Sequence, residues 1–193
     1  DVGDVHLVEA QQRRLGGQLA RHARNGIAGS LLARRADAIV HLAARVHVMR
    51  DSATDPLAVF RRVNVEGSVQ LARQAAAAGV RRFVYVSSIK VNGESTATGR
   101  PFRATDLPLP QDPYGISKYE AELALGQVAA TTSMELVVVR PPLIYGPGVR
   151  ANFRSMMNWL RRGVPLPFGA VDNRRSLVAL DNLCDLLVSC TKH

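Results

Sequence analysis

The residues of this sequence best suited to chemistry are a tyrosine and a lysine four positions apart, Tyr114 and Lys118, in the segment PQDPYGISKYEAE at 110–122. On a helix, positions i and i+4 lie on the same face, so the phenol and the ammonium group would approach one point. A phenol has a pKa of about 10 and is a poor base at neutral pH, but a nearby cation favours its ionised form. The pair suits proton transfer, although an exposed helical pair would have the same spacing.

The segments that must position this pair alternate between short apolar runs and amphipathic stretches from residue 36 onward. This order predicts an α/β fold, a Rossmann-like doubly wound parallel sheet with helices on both faces. Ligands bind such sheets at the carboxyl ends of the strands, where the Tyr114 helix would begin. The sequence predicts strands at 36–44, 81–88, 134–142 and 176–180, helices at 55–79, 113–130, 151–162 and from Asp181, and a polar loop at about 89–112.

The first 35 residues do not follow this pattern. Gly26 and Gly29 have part of the spacing of a dinucleotide-binding turn, but no apolar strand is predicted before them. Only a few residues separate them from the strand at 36–44, which is too few for the usual intervening units. We interpret the spacing as chance and expect residues 11–35 to be helical or loosely ordered.

Composition limits the other classes of function. The net charge of +9, from 25 basic and 16 acidic residues, is dispersed as arginine pairs without interleaved aromatic residues, which argues against nucleic-acid binding. No apolar run is long enough to span a membrane and no signal peptide is recognisable, so a cytoplasmic protein is expected. Cys184 and Cys190 lack metal-ligand spacing, and His41 and His47 lack ligand-like neighbours, so no metal site is predicted.

Six motifs, in order and at matching spacing, make residues 36–187 resemble the extended short-chain dehydrogenase/reductase family. The resemblance is to its NAD-dependent epimerase/dehydratase branch, which acts on nucleotide sugars. It implies a Rossmann-like dinucleotide-binding core at 36–148, a partial substrate-binding lobe with a returning strand and helix at 149–193, and an atypical segment at 1–35, as in a member incomplete at both ends. The motifs are HLAA (41–44), NVEGS (64–68), YVSSIKVNG (85–93), PYGISK (113–118), RPPLIYGPG (140–148) and RRSLVALDNL (174–183).

The resemblance assigns a role to each matching residue. It implies that Tyr114 is the catalytic tyrosine, that Lys118 lowers its pKa and holds the nicotinamide ribose, and that Ser88 is the catalytic serine. Arg175 competes with Arg174 for one role, and Asn152 could instead cap a helix. The implied cofactor is NAD, with NADP as the alternative, at Ala43, Ala44, Arg45, Asn64, Ser87, Tyr114, Lys118, Pro141 and Pro142; the implied substrate-binding residues are Ser88, Lys90, Asn152, Phe168 and Arg174.

The same resemblance narrows the reaction. Sugar-nucleotide 4,6-dehydratases of the family carry an Asp-Glu pair where this chain has Ile89 and Lys90, so dehydration is disfavoured. Epimerisation at C4 and reduction of a 4-keto group, on a UDP-sugar used for surface polysaccharide, remain open because both use the same three residues. Family members pair two helices across a dimer, which implies a homodimer through helices 56–78 and 113–130.

Two further expectations concern binding. Dinucleotide pyrophosphate is bound by backbone N–H groups at a Gly-rich turn that leads into a helix, and no such unit is predicted before Ala36. We therefore expect weak binding of dinucleotide or UDP-sugar. The competing interpretation is a catalytically impaired family fragment that acts as a binding module through its arginine-rich surface.

Overall fold

The computed structural model describes residues 5–8, 36–46, 55–97, 99–149, 151–163, 165 and 174–192. A four-stranded sheet forms their centre, with all neighbouring strands parallel and in chain order. In register, Ala38 pairs with Arg82, and Arg82 pairs with Glu135. The predicted parallel α/β sheet is confirmed. Its strands are β1 (Val5–Val8), β2 (Ala38–His41), β3 (Arg82–Val86) and β4 (Glu135–Val139).

Strand β1 corrects the interpretation of the first 35 residues, for which the sequence predicts no strand. Val5–Val8 pairs in parallel with β2, so that Val5 lies opposite Ala38 and Val8 opposite His41. The run VHLV is only four residues long and is interrupted by a histidine, so it has no clear apolar signal. The conformation predicted for residues 11–35 lies outside the described residues.

The helix predicted at 55–79 forms, but in three parts. Helix α1 (Pro56–Arg61) passes through a π-helical turn, Arg62–Glu66, into α2 (Gly67–Ala77). Asp55 caps the start, since its side chain accepts a hydrogen bond from the N–H of Ala58 at 3.0 Å. Gly79 follows the end with a φ of +85°, a backbone conformation that favours glycine.

Helix α3 (Pro113–Ala130) agrees with its predicted bounds. Asp112 caps it by accepting a hydrogen bond from the N–H of Gly115 at 2.6 Å, and Pro113 occupies the first helical position, where its missing N–H costs nothing. Both features place the first turn of α3 directly after the loop that follows β3.

The predicted strand at 134–142 is two strands. β4 ends at Val139, the proline pair interrupts it, and β5 (Leu143–Tyr145) pairs in parallel with β6 (Leu177–Ala179) in a separate two-stranded sheet. Helices α4 (Ala151–Arg161) and α5 (Leu180–Cys190) complete this region. The division into domains at residues 35 and 148 stays a prediction.

The helices cover both faces of the main sheet. Successive strand residues point to opposite faces, so alternate positions belong to different clusters. One face packs against α2 and α3 through Ile39, Phe83, Tyr85, Ala121 and Leu125, and the other packs against α5 through Val40, Val84, Leu183 and Leu187. Within the ranges given above, no helix has the length and apolarity needed to cross a bilayer.

Candidate active site

The lysine of the Tyr–Lys pair is buried beneath the carboxyl edge of the sheet. Lys118 is 1% exposed; its Nζ donates to the carbonyl oxygen of Val86 at 2.7 Å and lies 4.2 Å from the ring centroid of Tyr85. Burial, against a smaller opposing effect of Glu122, lowers the pKa of Lys118 to about 7. The α3 helix thus carries a lysine that can change its protonation state near neutral pH.

Tyr114 stands one turn earlier on α3, and the Ser88 hydroxyl is close enough to affect its ionisation. Burial raises the pKa of Tyr114 and the Ser88 hydroxyl lowers it, while the charge of Asp112 raises it and the charge of Lys90 lowers it. The net rise differs from the lowered pKa that the resemblance implies. The physical reason is that burial outweighs the favourable contacts while the Lys118 ammonium is bound to Val86.

Ser88 is held at the end of β3 by continuing strand pairing. The N–H of Ser87 donates to Val139 O at 2.7 Å, and the N–H of Ile89 donates to Pro141 O at 3.1 Å. Ser88 itself is extended and begins a short 3₁₀ turn, Ile89–Val91. The buried Ser87 hydroxyl has no hydrogen-bond partner among the described residues, so this edge presents a polar group that a ligand could satisfy.

Asn64 joins the loop after β2 to the Tyr114 helix. It is 0% exposed; its Oδ1 accepts from the N–H of Arg45 at 2.7 Å, and its Nδ2 donates to Arg45 O at 3.1 Å and to Ser117 Oγ at 2.9 Å. Ser117 Oγ donates in turn to Tyr114 O at 2.8 Å. Asn64 lies within the π-helical turn, a feature often found at functional sites. The loop that contains Ala43 and Ala44 is therefore fixed relative to Tyr114.

A buried histidine supports Asn64 from below. Ser68 Oγ donates to Asn64 O at 2.7 Å and contacts His41 Nε2 at 2.8 Å, so Nε2 carries the proton and donates. Burial, together with the charge of Lys118, lowers the pKa of His41 to about 3 and keeps the ring neutral. The sequence predicts only a core or surface histidine here; the HLAA motif, directly before the loop, is the signal that could have indicated its contact with NVEGS.

Two ion-pair networks surround the site, and the sequence predicts neither. The Arg140 guanidinium forms a bidentate pair with Glu122, with Nε–Oε1 at 3.0 Å, and donates to Asn92 Oδ1 at 3.1 Å. Lys90 Nζ pairs with Asp112 Oδ2 and with Glu94 Oε1 at 2.8 Å. The signal for these contacts is weak, because the acidic partners Glu94, Asp112 and Glu122 are single residues outside the six motifs.

The remaining predicted residues are not brought to this cluster by any described contact. Arg174 is exposed in the segment before β6, as is Arg175. Asn152 lies in α4, but its side chain is outside the described part, and Phe168 lies outside the described residues altogether. Their substrate-binding roles stay predictions. Among the described residues, no cluster of histidine, cysteine and acidic side chains could hold a metal ion.

A parallel sheet with serine, tyrosine and lysine at its carboxyl edge defines the class of short-chain dehydrogenases/reductases. The sequence model of the NAD dependent epimerase/dehydratase family matches residues 20–193, and the chain belongs to this family. It is 53% identical over 156 residues to the UDP-glucose 4-epimerase of Vibrio cholerae, covering 80% of this chain and 48% of that protein. The chain thus spans about half the length of this relative.

Solved structures show the same fold. RMD from Pseudomonas aeruginosa, complexed with NADPH, is 22% identical, with a TM-score of 0.73 over 99% of this chain and 74% of that chain. MoeE5, in complex with UDP-glucuronic acid and NAD, is 26% identical, with a TM-score of 0.71 over 99% of this chain and 73% of that chain. The predicted family and fold are confirmed, and the structural neighbours bind NAD or NADPH.

Proposed function

We propose that the protein oxidises and reduces C4 of a UDP-sugar with NAD(P), as a UDP-glucose 4-epimerase or as a UDP-4-keto-sugar reductase. The observation that carries the proposal is the approach of the Ser88 hydroxyl to Tyr114 at the carboxyl edge of the sheet, with the buried Lys118 bound to Val86 O one helical turn away. The identity of 53% to the Vibrio cholerae epimerase supports it. A role in surface polysaccharide synthesis is part of the proposal.

The proton chemistry follows from the arrangement of the side chains. Tyr114 carries the proton of the reacting sugar hydroxyl, and Ser88 hydrogen-bonds to the same oxygen and fixes its direction. The Ser88 hydroxyl and the charge of Lys90 favour the ionised phenol, against the burial that raises the pKa of Tyr114. A buried lysine with a pKa lowered to about 7 is typical of functional sites, which suits the role proposed for Lys118.

The residues at the sheet edge fit a nicotinamide cofactor. The buried Ser87 hydroxyl can satisfy its hydrogen bonding on such a ligand, and the loop fixed by Asn64 lies beside it. When bound, the nicotinamide supplies the hydride chemistry that no protein side chain offers. The residues that would hold it are Ala43, Ala44, Arg45, Asn64, Ser87, Lys118, Pro141 and Pro142.

Dehydration does not fit the side chains after Ser88. Ile89 has no titratable group. Lys90 is basic, and its ammonium is already paired with two carboxylates. Neither residue supplies the Asp-Glu pair of the dehydratases. Epimerisation and 4-keto reduction both need only the proton carrier and the hydride. The proposal is therefore limited to these two reactions.

The test is turnover of UDP-glucose and UDP-galactose with NAD(H) and NADP(H). An epimerase interconverts the two sugars without net change in the nicotinamide absorbance, whereas a reductase consumes the reduced cofactor with a 4-keto sugar. The Tyr114→Phe variant is the matched negative control. Absence of sugar conversion and of cofactor oxidation under both conditions would contradict the proposal.

Cofactor affinity is a separate proposal, and calorimetric titration of the purified chain measures it. We expect weak binding, because loss of several charge-assisted hydrogen bonds of about 1.5–3 kcal/mol each raises a dissociation constant by orders of magnitude. Micromolar affinity would instead indicate that β1 and the residues after it bind the pyrophosphate. Binding to nucleic acid that falls steeply with salt would favour the binding-module interpretation.

A homodimer through the helical face of α1 to α3 is also proposed. Val63 and Leu123 are 45% and 53% exposed, whereas Leu125 is fully buried in the core and takes no part. Leu123→Asp should give a monomer in sedimentation experiments. Leu109→Asp, at a loop position that is 68% exposed, is the matched control and should leave the dimer intact. A monomeric parent chain at micromolar concentration would refute this interface.

A further inference from the structure

We propose that Lys90 is a positioning residue that clamps the turn carrying Ser88 onto the N-cap of the helix carrying Tyr114. Its side chain pairs with Asp112, and Asp112 caps α3 through the N–H of Gly115 at 2.6 Å. Its own N–H donates to Ser88 Oγ at 3.3 Å. Lys90 thus contacts Ser88 directly and the Tyr114 helix through Asp112 at its N-cap. This inference rests on the proposed function, in which Ser88 and Tyr114 act on the sugar oxygen.

The backbone shows that the two turns are in unusually close contact. A Cβ placed on Gly115 would lie 3.0 Å from Lys90 O, 3.2 Å from Pro110 Cβ and 3.3 Å from Asp112 Oδ1. Any other residue there would require these neighbours to move by a few tenths of an ångström. The Lys90–Asp112 pair therefore joins two segments that already touch, so it fixes their relative position instead of bridging a gap across solvent.

The alternative is an ordinary surface ion pair. The Lys90 and Asp112 side chains are 40% and 26% exposed, and exposed pairs contribute about 0–1 kcal/mol to stability. Two features distinguish this pair from that case. Asp112 is simultaneously a helix cap, and the cation lies close enough to Tyr114 to lower its pKa. Lys90 also pairs with Glu94, so its ammonium is already bound by two carboxylates, which does not support the predicted contact with substrate.

Asp112 is the charged group other than Lys90 that shifts the pKa of Tyr114, but the titratable and charged groups on all the elements around the ring have to be separated from Lys90. They come from the N-cap and body of α3, from the 3₁₀ turn, from β3 and from the loop after β2, where a guanidinium lies 5.6 Å from the Phe60 ring that meets Tyr114 edge-on. The experiment changes residues only at the N-cap of α3 and in or next to the 3₁₀ turn. The groups are Asp112, Lys118 and Glu122 on α3, Lys90 with Glu94 behind it, Tyr85, and Arg45.

The experiment follows the ionisation of Tyr114 by NMR in the purified chain labelled with [¹³Cζ]tyrosine, with the signal assigned by its loss in Tyr114→Phe. Lys90→Met should raise the pKa of Tyr114, because a cation is removed, and Lys90→Arg should restore it. Asp112→Asn keeps a capping side chain but removes the charge, so it should lower the pKa. Glu94→Gln is the matched control, because Glu94 pairs with Lys90 on the side away from Asp112. This variant should leave the pKa of Tyr114 unchanged.

Kinetics give the second measurement. In Lys90→Met, kcat should fall about tenfold or more, because small displacements of reacting groups are costly, while KM stays within about threefold. Lys90→Arg should recover most of the loss. If Lys90→Met does not fold, Lys90→Gln removes the same charge and Asp112→Asn tests the charge of opposite sign.

Two results would overturn the clamp. If the pKa of Tyr114 and kcat are both unchanged in Lys90→Met, Lys90 forms only an ordinary surface ion pair. If KM alone rises, Lys90 is a substrate-binding residue. The titration needs no turnover. Opposite shifts in Lys90→Met and Asp112→Asn in a chain that converts no sugar would therefore support the clamp and refute the proposed function.

Discussion

The two faces of the main sheet are built differently. The face under α5 is apolar throughout its buried cluster, with Val40, Val84, Leu183 and Leu187 at its centre. The face under α1 to α3 has the larger apolar cluster but also encloses polar groups at its carboxyl end. Those polar residues are His41, Asn64, Ser68, Ser117, Lys118 and Glu122.

The two faces of the sheet therefore have different roles: one contributes only to stability, and the other also positions the residues of the site. On the α5 face, burial of apolar area is the main contribution, beside one hydrogen bond from Arg82 to Cys190 O at 3.4 Å, so substitutions in its apolar cluster should change stability alone. On the other face, most of the buried polar groups are joined in hydrogen bonds that run from His41 through Ser68 and Asn64 to Ser117 and the Tyr114 carbonyl. Substitutions along that chain should change stability and the site together.

The largest expected effect is on catalysis. Tyr114→Phe should reduce kcat by about 10²–10⁴-fold with the fold intact, because the phenol is the proton carrier in the proposed reaction. Tyr119→Phe, on the same helix, is the matched control and should retain activity. Kinetics and circular dichroism check both. A loss below about tenfold would mean that the chemistry does not depend on this face as proposed.

The next effect is on the apolar face. Leu187→Ala should lower the free energy of unfolding by about 2–5 kcal/mol, because Leu187 is 5% exposed and its removal leaves a cavity. Leu186→Ala, at a neighbouring position that is 48% exposed, should change it by no more than about 0.5 kcal/mol. Urea denaturation measures both. If Leu187→Ala also changed the pKa of Tyr114, the α5 face would affect the site as well as stability, which would contradict the distinction between the two faces.

A somewhat smaller loss of stability is expected at Asn64. Asn64→Ala removes both hydrogen bonds to the partly buried backbone of Arg45, each worth about 0.5–1.5 kcal/mol, so the two together should contribute about 1–3 kcal/mol. The loop after β2 should then exchange its amide hydrogens faster, which hydrogen-exchange measurements detect at Arg45. Ser68→Ala removes one hydroxyl and should cost less. Equal stability of Asn64→Ala and the parent chain would show that the polar network adds nothing.

The most gradual effect is a pH dependence, because one titrating group changes the free energy of unfolding by at most about 1.4 kcal/mol per pH unit. The pKa of Lys118 is about 7 in the folded chain against an ordinary value of 10.5, so the unfolded chain binds more protons between these values. Stability should therefore rise with pH across that window, and Lys118 should add no slope below it, where both states are protonated. Lys118→Met should flatten the slope, as measured by denaturation at several pH values. An unchanged slope would place the lysine in a more solvated environment than the contact with Val86 indicates.

Local signals were sufficient for most of the fold. The strands β2, β3 and β4 contain consecutive β-branched or aromatic residues, and the Asp-Pro pairs at 55–56 and 112–113 mark both helix starts. Strand β1 was not predictable because a four-residue run has little signal of its own and forms by pairing with β2. The separation of β4 from β5 depends on the second sheet, which brings in residues 177–179 from far along the chain.

The site was predictable in its residue types but not in its contacts. The spacing of Tyr114 and Lys118 and the SS motif at 87–88 predict a proton-transfer site, as the resemblance does. The carbonyl that binds Lys118 lies 32 residues away, and the Asn64–Ser117 bond spans 53 residues. Such pairings arise from packing of whole elements, and no local pattern encodes them. The same holds for Lys90, whose partner Asp112 is 22 residues away.

The π-helical turn at Arg62–Glu66 has a consequence for how this segment can change in length. The N–H of Gly67 donates to Arg62 O, five residues back, so the turn holds one residue more than a regular helical turn spans. Deletion of one residue there would restore a regular helix and leave α1 and α2 nearly in phase, because the five residues of a π turn rotate the chain little more than four residues of an α-helix. Phe60 would keep its place against the Tyr114 ring, whereas Asn64, which lies inside the turn, would be displaced from Arg45. Descendants of this chain should therefore keep the extra residue for the position of Asn64, and should gain or lose single residues more readily in the loops after β2 and β3.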